Sequence, residues 1–102
     1  MAGKFNNRKT IVDGIEFASR KEANRYGELK VLRDAGAISS LQLQVRYKLK
    51  VNGCHICDYI ADFVYMRDGQ PVTEDVKGRR TPVYSLKAKL MRAVHGITIL
   101  ET

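Results

Sequence analysis

The sequence predicts one small α/β domain of the mixed α+β type. Its elements run hairpin, helix, three antiparallel strands, helix, strand. Three observations carry this. Asp13-Gly14, Asn52-Gly53 and Asp68-Gly69 each separate two runs rich in β-branched or aromatic residues, the strongest short-range hairpin signal. Two stretches open on an N-capping residue, Ser19 and Thr81, and close on a glycine, Gly36 and Gly96. The chain has 102 residues, 44% of them hydrophobic and 28% charged, which suits one modest core.

Residues 1–9 read as a flexible basic arm and 10–102 as the single folded domain. Two short strands flank Asp13-Gly14. Ser19 then caps a helix, with Glu22 three residues on completing a capping box. The helix runs to about Ala35 and stops at Gly36. At about 100° per residue, Glu22, Tyr26, Leu29 and Arg33 share one face, so Glu22 lies near the middle of the stripe that meets the sheet. A carboxylate there is costly unless it is paired or binds a cation. Glu28 points elsewhere, into solvent.

The next strand covers 41–51. Asn52-Gly53 turns it into a strand that starts at Cys54 and contains 59–65. Residues 54–66 are long for one uninterrupted strand, so a bulge or break is expected. Asp68-Gly69 leads to a strand over 72–77, and Gly78-Arg79-Arg80 forms a basic loop. Thr81 caps the second helix, with Pro82 at the first helical position, where a missing N–H costs nothing. Val83, Leu86, Leu90 and Val94 form its apolar stripe. Lys87 falls inside the stripe, while Lys89 and Arg92 lie opposite. Gly96 ends the helix, and 97–100 form a terminal strand.

No apolar run approaches the roughly 20 residues of a membrane span, and the N-terminus lacks the apolar core of a secretory signal. An intracellular protein with no membrane partner is expected. The net charge of +7, from 18 Lys and Arg against 11 Asp and Glu, favours a polyanion, most simply nucleic acid. Cys54-His55-Ile56-Cys57 invites a zinc reading, but the chain adds only His95 as a fourth ligand. In extended backbone Cys54 and Cys57 point to opposite faces about 10 Å apart, so neither zinc nor a disulfide is expected.

The residues that carry chemistry lie on the third hairpin. If Asp68-Gly69 is a two-residue turn, Arg67 pairs with Gln70, Val64 with Thr73, and Asp62 comes opposite Asp75. Two carboxylates about 5 Å apart across a ladder repel each other. A divalent cation resolves the repulsion. Lys77 lies on the same face as Asp75 and can stabilise negative charge on a phosphate or position a water. Phosphodiester hydrolysis needs an activated water and neutralised phosphate charge, both of which a divalent metal supplies. Mg²⁺ takes oxygen ligands, and often only one or two carboxylates with waters. Asp62 and Asp75, the Val76 carbonyl and Glu22 are the candidate ligands. Glu74 points to the other face and is excluded.

An acid at Asp62, then Asp75-Val76-Lys77 on the next strand, with Glu22 on the preceding helix and a helix after, resembles the PD-(D/E)xK nuclease core. Residues 19–100 are similar to small phage-encoded endonucleases, some of them Holliday-junction resolvases. Ala61 departs from the proline of the motif. The resemblance implies a restriction-endonuclease-like fold, dependence on Mg²⁺ or Mn²⁺, and DNA cleavage. It makes Asp62 and Asp75 metal ligands, Lys77 catalytic and Glu22 the helix acid. Arg79, Arg80, Lys87, Lys89 and Arg92 are then candidate DNA contacts, and paired cuts in a junction imply a homodimer. The alternatives are a nicking, repair or transposition-type nuclease of the same core on other DNA, or a DNA-binding module of this fold that does not cut.

Overall fold

A computed structural model of the chain describes residues 9–102. Most of the expected basic arm, residues 1–8, lies outside the described residues; Lys9 pairs with Glu16 at 3.6 Å. The fold is mixed α+β. In chain order it comprises β1 (Thr10–Val12), β2 (Ile15–Phe17), α1 (Arg20–Asp34), β3 (Ser39–Val51), β4 (Cys54–Arg67), β5 (Gln70–Asp75), α2 (Pro82–Leu90), a π-helical segment (Met91–His95) that continues it, and β6 (Leu100–Glu101). β1 and β2 form a hairpin, and the main sheet has the order β3-β4-β5-β6. Its first three strands are antiparallel, and β6 joins β5 in parallel.

All three expected turns form. Asp13-Gly14, Asn52-Gly53 and Asp68-Gly69 have φ of 54° and 75°, 51° and 78°, and 52° and 76°. Two successive left-handed residues make the turn whose twist matches that of paired strands. The third turn sets the register, with Arg67 opposite Gln70 and Val64 opposite Thr73. Ser19 Oγ accepts the Glu22 N–H at 3.1 Å, and Thr81 Oγ1 accepts the Tyr84 N–H at 3.1 Å, so both helices start at their expected caps.

Four sequence expectations shift. Arg33 is exposed, not part of the buried stripe of Glu22, Ala23, Tyr26 and Leu29. Its guanidinium stays in water beside Asp34 at 3.3 Å, avoiding a desolvation cost. Tyr84 of α2 and Met91 of the π-helical segment face inward and are buried, with Ala88, Leu90 and Val94 partly buried, whereas Val83 and Leu86 are 63% and 56% exposed. The helix is rotated because Tyr84 turns inward against Tyr59 and donates its hydroxyl to Glu101 Oε2 at 2.8 Å. β5 ends at Asp75, not Lys77, and β6 begins at Leu100, not at 97. Ile97 and Ile99 pack into the core under α2 instead of pairing.

The expected irregularity in β4 occurs twice. Leu49 faces Cys57 while Lys50 faces His55, so Ile56 is an extra residue. The larger break is at Asp62. Phe63 and Tyr65 pack with Tyr26 and Leu29 of α1, whereas Val64 packs with α2 residues. Adjacent strand residues point to opposite faces, so the two helices cover opposite faces of the sheet. Regular alternation would place Ala61 and Tyr59 with Phe63, toward α1; they pack instead with Tyr84 and Met91 of the α2 side. The alternation slips by one between 61 and 63. Asp62 is missing from both ladders, and Gln44, opposite it on β3, has φ of 55°. A left-handed non-glycine costs on the order of 1–3 kcal/mol, strain concentrated where the strand reverses its faces.

On the α1 side, Glu74 is fully buried. It accepts bonds from Arg25 Nε at 2.6 Å, Arg25 Nη2 at 3.0 Å, the Tyr65 hydroxyl at 2.6 Å and Thr102 Oγ1 at 2.9 Å. Burial alone pushes its pKa up, but these donors outweigh it and hold the carboxyl below its ordinary range. The ion pair locks α1 to β5. Arg25→Ala strands a buried carboxylate, and we expect a loss of about 3–5 kcal/mol in urea unfolding. A loss under about 1 kcal/mol would show that the pair does not hold α1 in place.

Candidate active site

Asp75 ends β5 and faces the α2 side, opposite to Glu74. Lys77, two residues on, returns to the same side: its Nζ lies 3.1 Å from Asp75 Oδ2 and 3.9 Å from the centre of the Tyr84 ring. The ring face and the carboxylate fix the ammonium from two directions. The buried Tyr59 hydroxyl donates to the same Asp75 oxygen at 2.7 Å. Burial first, then Asp75, raises the Tyr59 pKa, so the phenol stays a donor.

Asp62 reaches across the gap left by the broken ladder. Its Oδ2 accepts the Val76 N–H at 2.8 Å. The Asp75 carbonyl and the Lys77 N–H both bond to Thr102, at 3.0 Å each, and so face β6. The Val76 N–H between them leaves toward Asp62 instead. The Asp62 and Asp75 carboxyl groups line the same cleft. Burial, and next the Asp75 carboxyl, push the Asp62 pKa well above its ordinary value of 3.8. Glu22 is also raised, by burial and then by Asp75, with Lys77 opposing.

Glu22, Asp62, Asp75, Val76 and Lys77 line one cleft of about 620 Å³, together with Lys87 and Arg46. The other expected DNA contacts lie outside its lining. Lys89 on α2 and Arg92 in the π-helical segment after it are exposed, Arg79 is exposed, and Arg80 pairs with Glu101 at 3.4 Å. Glu74 belongs to the opposite side, as its alternation required. Cys54 and Cys57 are both free thiols. Sequence reasoning missed Tyr59, Tyr84 and Arg46. The sequence pattern marks neither tyrosine, and the only signal was that a buried tyrosine hydroxyl needs a partner.

The donor set suits a hard divalent cation. Asp62 and Asp75 line the same cleft, and Asp62 holds its proton to an unusually high pH because burial and the neighbouring Asp75 oppose a second negative charge there. Each keeps its Oδ1 outside the bonds that Val76, Tyr59 and Lys77 make. Among the described residues no three His, Cys, Asp or Glu side chains form a ready cage. Mg²⁺ needs none, because it takes one or two carboxylates and completes its shell with water and phosphate oxygens.

The model of the family described as "Protein of unknown function (DUF1064)" matches residues 2–96. The chain belongs to this family. No curated protein and no solved structure matches the chain. Among the described residues of this DUF1064 member, no helix is long and apolar enough to cross a membrane.

A folded-state pKa above the unfolded one adds stability while the group is protonated in both states, and that stability is lost as pH rises through the folded value. Without metal, Asp62 and Glu22 therefore cost stability as pH rises. The carboxylates with lowered pKa, Asp13, Asp58 and Glu74, have the opposite sign: their stabilisation is lost as pH falls, at the acidic end. In EDTA we expect the melting temperature to fall between about pH 5 and pH 8, and Asp62→Asn to flatten that fall. A wild-type melting temperature that rises over this interval would contradict the raised pKa of Asp62 and Glu22.

Proposed function

We propose that this chain is a metal-dependent DNA endonuclease that hydrolyses phosphodiester bonds, acting on branched DNA in the manner of a Holliday-junction resolvase. The observation that carries the reading is the pair Asp62 and Asp75, mutually unfavourable in a cleft that also holds an oriented Lys77. Asp62, Asp75, the Val76 carbonyl and Glu22 would hold Mg²⁺, with Mn²⁺ able to replace it. Bound there, the cation supplies an acidified water and charge neutralisation at the phosphate.

The chain's own groups do the rest. Water oxygen forms a bond to phosphorus, and the bond from phosphorus to the leaving sugar oxygen breaks. Lys77, held by Asp75 and the Tyr84 ring, offsets the charge that grows on the phosphate oxygens. Tyr59 fixes the orientation of Asp75. Glu22 would complete the cation's shell, while the attacking water gives up a proton to solvent and the leaving sugar oxygen takes one up. Lys87 at the cleft, and Arg79, Arg80, Lys89 and Arg92 around it, supply backbone attraction in keeping with the net charge of +7. Paired incisions across a junction need two such clefts, so the reading carries a homodimer with it.

Cleavage of four-way junction, linear duplex and single-stranded DNA, with Mg²⁺ or EDTA, tests the reading. We expect cutting of the junction only with the metal, and a loss of about 100-fold or more in Lys77→Ala and in Asp75→Asn. Cutting that persists in EDTA, or wild-type rates in Lys77→Ala, would sink the mechanism. Equal rates on junction and linear duplex would leave a nuclease and remove the resolvase. Tyr59→Phe keeps the fold and the ring but frees the Asp75 oxygen. About a 10-fold loss in rate, with the melting temperature little changed, is the expected signature of positioning.

A further inference from the structure

The β3–β4 hairpin outruns the rest of the sheet. β5 pairs with β4 only from Phe63 to Arg67, so from Asp62 to the Asn52-Gly53 turn the hairpin is a two-stranded arm. One face of the arm is covered: Leu49, Tyr59 and Ala61 are buried, with Tyr47 packed beside them. The other face is open and carries the alternate residues of β3, Arg46, Lys48 and Lys50, all exposed. Arg46 also lines the acidic cleft. Three cations therefore run in a row from the cleft toward the tip of the arm.

We infer that this open face is a DNA-binding surface that guides the phosphate backbone into the cleft. The inference deepens the nuclease reading and rests on it for the identity of the polyanion. Spacing and charge both fit. Alternate strand residues are about 6.6–6.8 Å apart, so the row spans about 13 Å. That is about the rise of four base pairs along one strand of duplex. Several cations elsewhere in the described chain sit in ion pairs: Arg25 with Glu74, Lys30 with Asp13, Lys77 with Asp75 and Arg80 with Glu101. Lys48 and Lys50 make no ion pair among those found for the described residues. Arg46 does have a partner, Asp58 Oδ2 at 2.7 Å, whose other oxygen contacts His55 Nε2 at 2.7 Å. Asp58 thus removes some positive charge from the face while holding the guanidinium at the mouth of the cleft. Its bond to Nη1 leaves the guanidinium's other donors available to a phosphate.

The test is DNA binding in EDTA, which reads the surface without the chemistry, on the full chain with a labelled four-way junction across a salt series. In the Lys48→Ala, Lys50→Ala double substitution we expect affinity about 10-fold weaker, and a slope of log affinity against log salt shallower by about 2, one for each lost phosphate contact. Arg67→Ala, an exposed cation at the opposite end of β4, serves as the reference for merely lowering net charge. Wild-type affinity and slope in the double substitution, losses matched by Arg67→Ala, or no DNA binding by the unsubstituted chain would each overturn the proposal. Thermal melting of the double substitution checks that the arm is folded, and Lys48→Gln, Lys50→Gln repeats the test with the side-chain length kept. Binding that is lost in the double substitution, by a chain that never cuts with Mg²⁺, would keep the arm and reject the nuclease. Cutting by a chain whose binding ignores both lysines would do the reverse.

Discussion

Two carboxylates that repel each other organise the middle of this molecule. Asp62 and Asp75 come together because the Asp68-Gly69 turn sets a register that brings them opposite. The ladder cannot close over them. Pairing ends one step short, at Phe63 and Glu74, and the Asp62 side chain takes over the job of the missing backbone bond by accepting the Val76 N–H. Where the ladder fails, β4 is released from β5 and reverses which residues face which helix. The same defect opens the cleft and frees the arm. A strand that continued its pairing would have neither.

Glu74 and Asp75 show how neighbouring acids acquire different lives. Strand alternation sends them to opposite sides of the sheet. Glu74 meets a guanidinium and two hydroxyls, all pointed at it, and its charge is satisfied in place. Asp75 meets one phenol, one ammonium and two further acids. The first arrangement is complete and serves to hold α1 against β5. The second is short of positive charge, and that shortage is the physical basis for reading it as a cation site. Lys77 alone does not cure it, because its ammonium is divided between Asp75 and the face of Tyr84.

Local signals were legible wherever the physics is local. The three turns need only two residues able to adopt left-handed φ, and the two helix starts need only a side-chain oxygen at the right offset. The Asp62 to Asp75 register followed from one of those turns by counting. The inward face of α2 was misread because Val83 and Leu86 look like core by hydropathy, whereas Tyr84, amphipathic, turns in to reach Tyr59 and Glu101. β6 was displaced for a similar reason: Ile97 and Ile99 gain more from burial under α2 than from a ladder. The slip at Gln44 and Asp62 had no signature, since residues 59, 61, 63 and 65 alternate perfectly and are all buried, yet serve two different helices.

By itself the sequence determined the order of elements, the turns and caps, the hairpin register and, through that register, which acids and which lysine share one site. These depend on contacts between residues a few positions apart. Only the tertiary structure decided that Tyr59 and Tyr84 hold Asp75 and Lys77, that Arg25 answers Glu74, and that three cations of β3 line an uncovered arm. Each of those depends on how two distant segments are rotated against each other. That rotation is set by the packing of both helices on a sheet that changes faces partway along β4.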